Sequence, residues 1–420
     1  MIARDRNNAV VNVAGETLWG FQAAMVAPAT VLTVLLREYG AGERLIGSIS
    51  AIESGAVLLP QVIGIYLFTS RRRRRANLLL WHLLLVIPFL FVIGGLTWFA
   101  KDMSPAAFRL WAILGFACFQ LGIGVILAVW LDWLAHLFGP GIRGTVFGIS
   151  FCCSALAGTL GALAAGHVIQ SLPSPHAFSY LYLAAGMIAT LSIATFFLIR
   201  DPAAEEADNA PRVDTGKLVA RFKDSLRNVN FRAFLIGRML AAAGFSIIPF
   251  IAVHFTSADG GGLPRGTVVA LGAAMTAGVA LGNLGLGRLG DHAGHRAGML
   301  VGGAVQVASL VVMLLAVGKM GCLLAYFGAG VATASGWISH TNMLYETCPH
   351  DSRVAHITVG NFVMGVVTII APLLSGVAAA RWGMHTLFAI CLVLSVCALL
   401  WLVFRVREPR EVAEERGAEL

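Results

Sequence analysis

The chain has 420 residues, of which 58% are hydrophobic and only 12% are Asp, Glu, Lys or Arg. A soluble domain usually carries about 25% charged residues, so this composition excludes a soluble globular protein. The formal net charge is +8. The basic residues stand in short gaps between apolar blocks, which favours orientation in a lipid bilayer over nucleic-acid binding. The seven cysteines have no C-x-x-C spacing, so neither a zinc site nor a disulfide framework is predicted.

Apolar blocks long enough to cross a bilayer recur along the whole sequence. A spanning helix needs roughly 20 residues, and the alternating polarity that marks membrane β-barrels is absent. We therefore predict an all-α membrane protein. Its first helix is expected to remain uncleaved, because the first block continues past any signal-peptidase site. The twelve predicted spans lie near residues 9–36, 44–68, 77–99, 107–136, 144–171, 177–199, 231–256, 265–289, 297–317, 321–347, 353–380 and 383–405.

The distribution of basic residues predicts the topology. The N-terminus and the gaps after even-numbered spans hold 22 Lys and Arg residues, and the opposite gaps hold seven. Because Lys and Arg accumulate on the cytoplasmic side of membrane proteins, both termini should be cytoplasmic. We expect a multi-pass monomer in the plasma membrane of a bacterium, which is its inner membrane.

A long polar stretch divides the spans into six and six. It predicts an N-terminal six-helix bundle at residues 1–200, a cytoplasmic linker at 201–230, a C-terminal six-helix bundle at 231–405 and a cytoplasmic tail at 406–420. Within the linker, residues 217–227 form either a short helix on the membrane surface or an ordinary solvated segment.

The two halves repeat each other. One pair of similar motifs follows the sixth and twelfth spans, and another follows the fourth and tenth. The matching segments are Phe197 to Pro202 with Phe404 to Pro409, and Pro140 to Arg143 with Pro349 to Arg353. These matches predict a duplication. Parallel repeats of six helices are one architecture of secondary transporters.

The segment after the eighth span identifies a family. It reads Gly287-Arg288-Leu289-Gly290-Asp291-His292-Ala293-Gly294-His295-Arg296 and resembles the signature loop of the major facilitator superfamily, G-x-L-a-D-r-x-G-r-r. With the twelve spans and the Asp/Glu-Pro endings, the resemblance covers nearly the whole chain. The corresponding loop after the second span keeps Gly64 and the run Arg71 to Arg75 but lacks the aspartate. The resemblance implies a secondary transporter of two six-helix bundles, with no enzymatic activity and no cofactor.

In this family the loop closes the cytoplasmic side of the protein. An aspartate can cap a neighbouring helix, where free N–H groups and the helix dipole favour negative charge, and can pair with an arginine. The resemblance therefore implies a cytoplasmic gate around Asp291. In the first half, Asp132 could act instead by reaching the Arg71 to Arg75 cluster. The alternative is that this cluster only keeps its loop in the cytoplasm. The other predicted gate residues are Gly287, Gly294, Arg296, Arg143, Glu346 and Arg353.

Two acidic residues within predicted spans are candidates for proton coupling. A charge near the bilayer centre costs at least about 2.5–3.5 kcal/mol on insertion scales, so such side chains face protein or water. Glu53 lies in the middle of the second span, and Glu16 lies about two turns into the first. A carboxyl group that exchanges its proton with both sides would couple a proton gradient to transport. The alternative is a structural role, as a neutral carboxyl bonded to a neighbouring helix or as a partner of Arg238.

Polar residues within the spans are candidates for a substrate cavity. Arg238 in the seventh span could bind an anionic substrate with two hydrogen bonds, or could be the counter-ion of Glu16 or Asp132. The other polar residues could equally hydrogen-bond neighbouring helices. The candidate cavity residues are Asn12, Trp19, Gln22, Gln61, Arg238 and Asn361, of which Asn12 and Trp19 share a helical face with Glu16.

Together with the resemblance, these residues predict a transporter that moves a small organic solute by alternating access, with proton coupling through Glu53 or Glu16. The competing hypothesis is a receptor, sensor or assembly protein of the same fold, which the missing first-half aspartate favours. No Walker sequence is present, so ATP is not expected to drive the cycle. The expected partners are the solute, protons and the bilayer. Nucleic acid is not expected, because orientation in the bilayer explains the basic residues. A metal is not expected either, because the family's loop motif explains Asp291, beside His292 and His295, without one.

Overall fold

The computed structural model describes residues 3–68, 73–138, 140–200, 227–347, 353–409 and 411. Within these residues the regular structure is helical and no strand occurs. Packing divides the chain into two compact units. Unit 1 comprises Met1–Ala210 and Gly262–Ala273, and unit 2 comprises Pro211–Gly261 and Ala274–Leu420. The predicted surface helix at 217–227 falls, apart from Arg227, outside the described residues.

Unit 1 contains nine helices from the first half of the chain and one from the second. The nine are α1 (Ala3–Met25), α2 (Thr33–Glu38), α3 (Glu43–Leu58), α4 (Gln61–Leu67), α5 (Arg74–Trp81), α6 (Pro88–Trp98), α7 (Pro105–Leu137), α8 (Pro140–Ser171) and α9 (His176–Phe196). Short π-helical segments at Pro28–Leu32 and His82–Val86 join α1 to α2 and α5 to α6.

Six helices of the second half lie wholly within unit 2, after residue 227 and before the C-terminal tail. In chain order the helices of the second half are α10 (Val229–Gly244), α11 (Ile248–Thr256), α12 (Arg265–Leu271), α13 (Ala273–Ala293), α14 (His295–Leu315), α15 (Gly318–Thr347), α16 (Arg353–Trp382) and α17 (Met384–Arg405). Of these, α12 belongs to unit 1, and the boundary at Ala273 falls at the first residue of α13.

Helical segments that could cross a membrane occur throughout the described residues. Eleven of their helical segments are long and apolar enough to cross a bilayer. The predicted second span is different, because it consists of α3 and α4 with a break at Leu59 and Pro60. Proline cannot donate a backbone hydrogen bond and its ring clashes with the preceding turn, which explains the break. The all-α membrane fold predicted from the sequence is confirmed.

The helix ends follow from local chemistry. Ser104 caps α7 by accepting a hydrogen bond from the backbone N–H of Ala107 (3.3 Å), and Asn228 caps α10 by accepting one from Phe231 (3.1 Å). The first span of each half is interrupted beside a proline, Pro28 in one and Pro249 in the other. The two first spans are therefore interrupted at corresponding points, as a duplication predicts.

Glycines allow the helices of unit 1 to pack closely. Along α1 and α8, a side chain at Gly20 would overlap Ser154, and one at Gly161 would overlap the carbonyl of Phe21. Between α4 and α7, a Cβ at Gly64 would overlap the carbonyl oxygen of Val125. Small residues at helix contacts are typical of membrane bundles. Gly64, which the sequence analysis assigned to a loop motif, is thus a packing residue of α4.

The first and last spans of each half are tied together by reciprocal amide contacts. Asn8 Nδ2 donates to the carbonyl of Arg200 (2.9 Å), and the backbone N–H of Arg200 donates to Asn8 Oδ1 (3.0 Å). Asn230 Nδ2 likewise donates to the carbonyl of Arg407 (3.0 Å), whose N–H donates to Asn230 Oδ1 (2.9 Å). We name these contacts the asparagine clamps. They show that the predicted sequence repeat is also a structural repeat.

A buried acidic residue caps α14 in unit 2. Glu408 is 6% exposed, and its Oε2 accepts a hydrogen bond from the backbone N–H of Arg296 (3.0 Å). Gly294 precedes α14 with φ +82°, and a side chain there would overlap the Glu408 carboxylate. Free N–H groups and the dipole at a helix N-terminus favour a carboxylate. The glutamate of the Glu-Pro motif therefore stabilises the start of α14.

Replacing Glu408 with alanine should lower the free energy of unfolding by about 1–2 kcal/mol, because the cap of α14 is lost. The measurement is thermal denaturation of the purified protein in detergent. Glu411 lies three residues later and is exposed. Glu411→Ala is therefore the matched control and should melt like the wild type. Equal melting of both variants would contradict the capping role.

The segment Gly262–Ala273 packs on α8 within unit 1. Side chains at Gly166 and Gly266 would each overlap the other helix, so α8 and α12 touch through backbone. Gln170 Nε2 donates to Thr267 Oγ1 (2.7 Å). At the end of α2, the Glu38 carboxylate accepts hydrogen bonds from Arg265 and Ser174. We name these contacts the far-end contacts, because they lie at the C-terminal ends of α2 and α8.

Candidate functional site

A cavity of about 210 Å³ lies inside unit 1. It is formed by α1, α7, α8 and α9, with His82 at the junction of α5 and α6. The cavity lies towards the side of the membrane-spanning region on which the N-terminus lies. Glu16 is near the start of the first span, and Trp130 is near the end of the fourth, so both residues lie towards that side. The lining residues are Asn12, Glu16, Trp19, His82, Ile123, Ile126, Leu127, Trp130, Leu131, Leu134, Phe147, Ser150, Phe151, Ser192, Ile193 and Phe196.

Glu16 is the acidic residue of this lining. Its side chain shares this cavity with the indole of Trp130. No described Lys, Arg or His forms an ion pair with Glu16, whose side chain is half-buried. An ionised carboxylate in a membrane span without a counter-ion is costly, so the group is stable there when protonated or when a cation enters the cavity.

Asn12 lies one turn before Glu16 on the same face of α1. It is 1% exposed, and its Nδ2 donates to Ser150 Oγ (2.8 Å). The Ser150 hydroxyl donates in turn to the carbonyl of Val146 (2.9 Å). Because the Ser150 proton is used in this way, its oxygen accepts from Asn12, which fixes the amide orientation. Asn12 Oδ1 then remains without a hydrogen-bond partner among the described residues.

Aromatic rings surround the carboxylate. His82 packs edge-on against Trp19 at 5.6 Å and against Trp130 at 5.0 Å between ring centroids. Phe196 packs against the other side of Trp130 at 4.9 Å. Edge-to-face pairs of this kind add about 0.5–1.5 kcal/mol beyond burial, so the walls of the cavity are well ordered.

The cavity is open on one side. Leu131 on α7 and Phe151 on α8 line it and are 48% and 62% exposed. The lining is therefore not closed between these two helices. The three residues that the sequence placed on one face of the first span, Asn12, Glu16 and Trp19, all line this cavity.

The other predicted residues of unit 1 lie outside this cavity. Glu53 on α3 is half-buried and forms neither an ion pair nor a hydrogen bond with a described residue. Gln22 is 1% exposed, and both of its side-chain polar atoms lack a partner among the described residues. Gln61 Nε2 donates to the carbonyl of Val57 across the break at Pro60 (3.1 Å).

In unit 2, Arg238 is the charged residue within a span. It is half-buried on α10, its Nε has no hydrogen-bond partner, and no described carboxylate pairs with it. It lines a void of about 10 Å³ together with Gln306 and Ser395, which is too small for an organic molecule. Asn361 on α16 is exposed. Asn361 is not among the residues that line this void.

The structure describes the side chains of some predicted gate residues but not of others. Arg74 Nη1 pairs with Asp132 Oδ2 at 2.7 Å, which joins α5 to the end of α7. Asp291 is exposed in the last turn of α13, and Gly287 lies one turn earlier. Arg296 donates from Nη2 to the carbonyl of Val403 (2.7 Å). The side chains of Arg143, Glu346 and Arg353 lie outside the described part of the structure, and the gating role of all these residues stays a prediction.

Sequence reasoning missed several residues of the site. Trp130, His82 and Ser150 come from three different helices, and none of them stands out in its own span. Their partners are fixed by tertiary packing, which a single sequence does not reveal. Among the described residues, no group of His, Cys, Asp or Glu is arranged to hold a metal ion.

Two repeated sets of membrane-spanning helices are one architecture of secondary transporters. The chain belongs to the Major Facilitator Superfamily, whose sequence profile matches residues 15–278 and 245–420. It is therefore a membrane transporter and not an enzyme. No curated protein sequence matches the chain at a significant level.

Solved structures with the same fold cover almost the whole chain. The nucleoside transporter NupG, in a mutant form, is 15% identical with a TM-score of 0.69, covering 96% of this chain and 100% of its own. A D-xylose-proton symporter is 16% identical with a TM-score of 0.69, covering 97% and 99%. A bacterial homologue of the human lysosomal transporter Spinster is 12% identical with a TM-score of 0.64, covering 96% and 97%. At these identities the likeness shows the fold alone.

Proposed function

We propose that the chain couples protons to the movement of a small organic solute by alternating access. The observation that carries this proposal is Glu16, a carboxyl group in a membrane span, at an open cavity, with no ion pair among the described residues. Such a group changes its charge when either side of the membrane supplies or removes a proton. Glu53 is the second candidate, because it is also half-buried in a span without a described partner.

The fold relatives support proton coupling without identifying the solute. The name of the D-xylose-proton symporter states that this relative moves its sugar together with protons. The nucleoside transporter is named for a different substrate, so the fold accommodates chemically unrelated solutes. The substrate of this chain must therefore be inferred from its own cavity residues.

The topology and organisation belong to the same proposal. We propose that both termini and the linker at 201–230 are cytoplasmic, that the bundles span residues 1–200 and 231–405, and that the protein is a monomer in the bacterial inner membrane. The excess of Lys and Arg in the gaps on one side supports this orientation. Under this topology, the Glu16 cavity lies in the cytoplasmic half and the far-end contacts on the opposite side.

Proton movement in proteoliposomes tests the proposal. The purified protein is reconstituted with a pH-sensitive dye inside the vesicles, and a panel of amines, sugars, nucleosides and carboxylates is added outside. At least one solute should change the internal pH, and a protonophore should remove the change. No response to any solute, from protein that is folded and inserted, would instead favour the receptor or assembly hypothesis.

The far-end contacts should open and close during the cycle. In a cysteine-free background, Gln170→Cys with Thr267→Cys should form a cross-link with a short bis-methanethiosulfonate, which joins the two thiols through reducible disulfides, because the native side chains touch. Cross-linking should reduce solute-driven proton movement to background, and reduction should restore it. Gln170→Cys alone is the control for reagent effects. Full activity of the cross-linked protein would show that these contacts do not separate.

A further inference from the structure

Three polar side chains around the Glu16 cavity already use their donors. Asn12 Nδ2 donates to Ser150, and Ser150 donates to a backbone carbonyl. Ser192 donates to the carbonyl of Gly15 at 2.8 Å. A ligand that enters the cavity therefore finds these three groups already engaged in hydrogen bonds, and the indole N–H groups of Trp19 and Trp130 are the neutral donors left in the lining.

Three acceptors remain in the same lining. The Glu16 carboxylate can accept several hydrogen bonds, and Asn12 Oδ1 has no described partner. His82 Nδ1 lies 2.9 Å from the carbonyl of Leu78, and a carbonyl only accepts, so Nδ1 carries the proton. In the neutral ring, Nε2 of His82 is then an acceptor as well. A group with several donors and a positive charge fits this set.

The aromatic walls of the cavity suit a ligand that carries an apolar or aromatic group next to its positive charge. Trp19, Trp130, Phe147 and Phe196 all line the cavity. Aromatic faces attract cations, tryptophan most strongly, and also pack against apolar rings. No Lys or Arg lines the cavity, so the lining offers an anion no positively charged side chain, whereas Glu16 offers a cation a carboxylate.

We propose that the Glu16 cavity binds a small organic cation, a protonated amine carried on a single apolar ring. The ammonium group would donate to Glu16 and Asn12 Oδ1, and the ring would pack against the tryptophans. The cavity of about 210 Å³ is below the roughly 300–1,000 Å³ of pockets for drug-sized ligands, which limits the solute to small amines. This inference rests on the proposed function and gives its site a substrate class.

The same geometry determines how the amine is coupled to protons. Glu16 is stable in the span with one positive charge, either a proton or an ammonium group, and the two compete for one carboxylate. Glu16 and His82 are the titratable side chains of the lining, and His82 is held by Leu78. Binding of the amine therefore displaces the proton of Glu16. The protein is an exchanger of amine for proton.

Equilibrium binding to the purified full-length protein tests the proposal. The probes are 2-phenylethylamine, the uncharged 2-phenylethanol and the anionic 3-phenylpropanoate, which share a ring and chain. A ligand that binds the native state raises the melting temperature. The amine should bind at least about tenfold more tightly than the alcohol, because charge-assisted hydrogen bonds are the stronger ones. Equal or greater stabilisation by the alcohol or the anion would overturn the proposal.

Variants assign the preference to Glu16. In Glu16→Gln the amine and the alcohol should stabilise equally, because the carboxylate is gone. Asp102→Asn, which removes an exposed carboxylate in the segment after α6, should keep the wild-type preference. Retention of the amine preference in a folded Glu16→Gln protein would overturn the site.

A second measurement uses the wild-type protein and does not depend on the folding of a variant. A hydrophobic carbodiimide modifies protonated carboxyl groups in membrane spans, and peptide mass spectrometry gives the rate at each residue. The protecting ligand is the tertiary amine N,N-dimethyl-2-phenylethylamine, because a primary amine would itself be acylated by the activated carboxyl group. At saturation it should slow modification of Glu16 about tenfold and leave Glu53 unchanged, because Glu53 does not line the cavity. Unchanged labelling of Glu16 would overturn the proposal.

The outcomes for binding and for transport are separable. Amine binding that depends on Glu16, without any proton movement in proteoliposomes, would contradict the proposed transport function and keep the cation site. Proton-coupled transport of another solute, without amine binding, would overturn the cation site and keep the transport function.

Discussion

Replacing Glu16 with glutamine should abolish solute-driven proton movement in proteoliposomes. Glutamine has nearly the same shape and remains polar, but it cannot bind or release a proton as the carboxyl group does. The half-buried carboxyl group at the open cavity is the group through which we expect the two fluxes to be coupled. The expected signal is that of protein-free vesicles, measured with the internal pH dye.

The controls separate coupling from folding. Asp102→Asn should retain the full signal, because Asp102 is exposed and remote from the lining. Glu16→Asp keeps a titratable group on a shorter side chain and should retain part of the signal. If Glu16→Gln is fully active and Glu53→Gln is inactive, coupling belongs to Glu53 and the role assigned to Glu16 is wrong.

Replacing Gly64 with alanine should destabilise the protein by about 3 kcal/mol or more, at the upper end of single-residue overpacking. The added Cβ would overlap the carbonyl oxygen of Val125, which is backbone of α7 and cannot rotate away. Helices α4 and α7 would have to separate. The yield of folded protein and its melting temperature in detergent measure the effect.

Gly95→Ala is the matched control. Gly95 also lies within a spanning helix, α6, but a Cβ there would meet nothing within 4 Å. This substitution should be neutral or slightly stabilising, because alanine favours helix more than glycine does. Similar losses in both variants would show that helix propensity, and not the contact between α4 and α7, determines the result.

Much of the fold was predictable because hydrophobic length is a local property. The predicted sixth span at 177–199 corresponds to α9 at His176–Phe196, and the last span at 383–405 corresponds to α17 at Met384–Arg405. The second span was predicted as one helix and is two. Pro60 was visible in the sequence, but a proline kinks some membrane helices and breaks others, depending on which neighbours satisfy the freed backbone groups.

The candidate site was predictable only along single helices. Asn12, Glu16 and Trp19 share a face by helical periodicity, and the structure brings all three to the same cavity. Trp130 and Glu16 are 114 positions apart in the sequence, and they line one cavity only because of where the fold places α7 and α1. Nothing in the local sequence distinguishes Trp130 from the other tryptophans of the chain.

Glu408 shows the same limit in unit 2. The Glu-Pro motif was visible as one copy of a repeat, and the sequence analysis assigned the helix-capping role to Asp291 instead. The structure places Glu408 at the start of α14, bonded to the N–H of Arg296 in a contact between residues 112 positions apart. A repeated motif indicates that a contact exists, and only the fold identifies its partner.

The asparagine clamps indicate where the polypeptide can be divided into two fragments. In each half, Asn8 or Asn230 holds the beginning of the first span against the end of the last, so each set of six spans is closed by its own hydrogen bonds. The peptide bonds joining the two sets do not contribute to that closure. Two separately translated fragments, divided between residues 201 and 226, should therefore reassemble into an active transporter, and loss of Asn8 or Asn230 should impair this complementation more than it impairs the intact polypeptide.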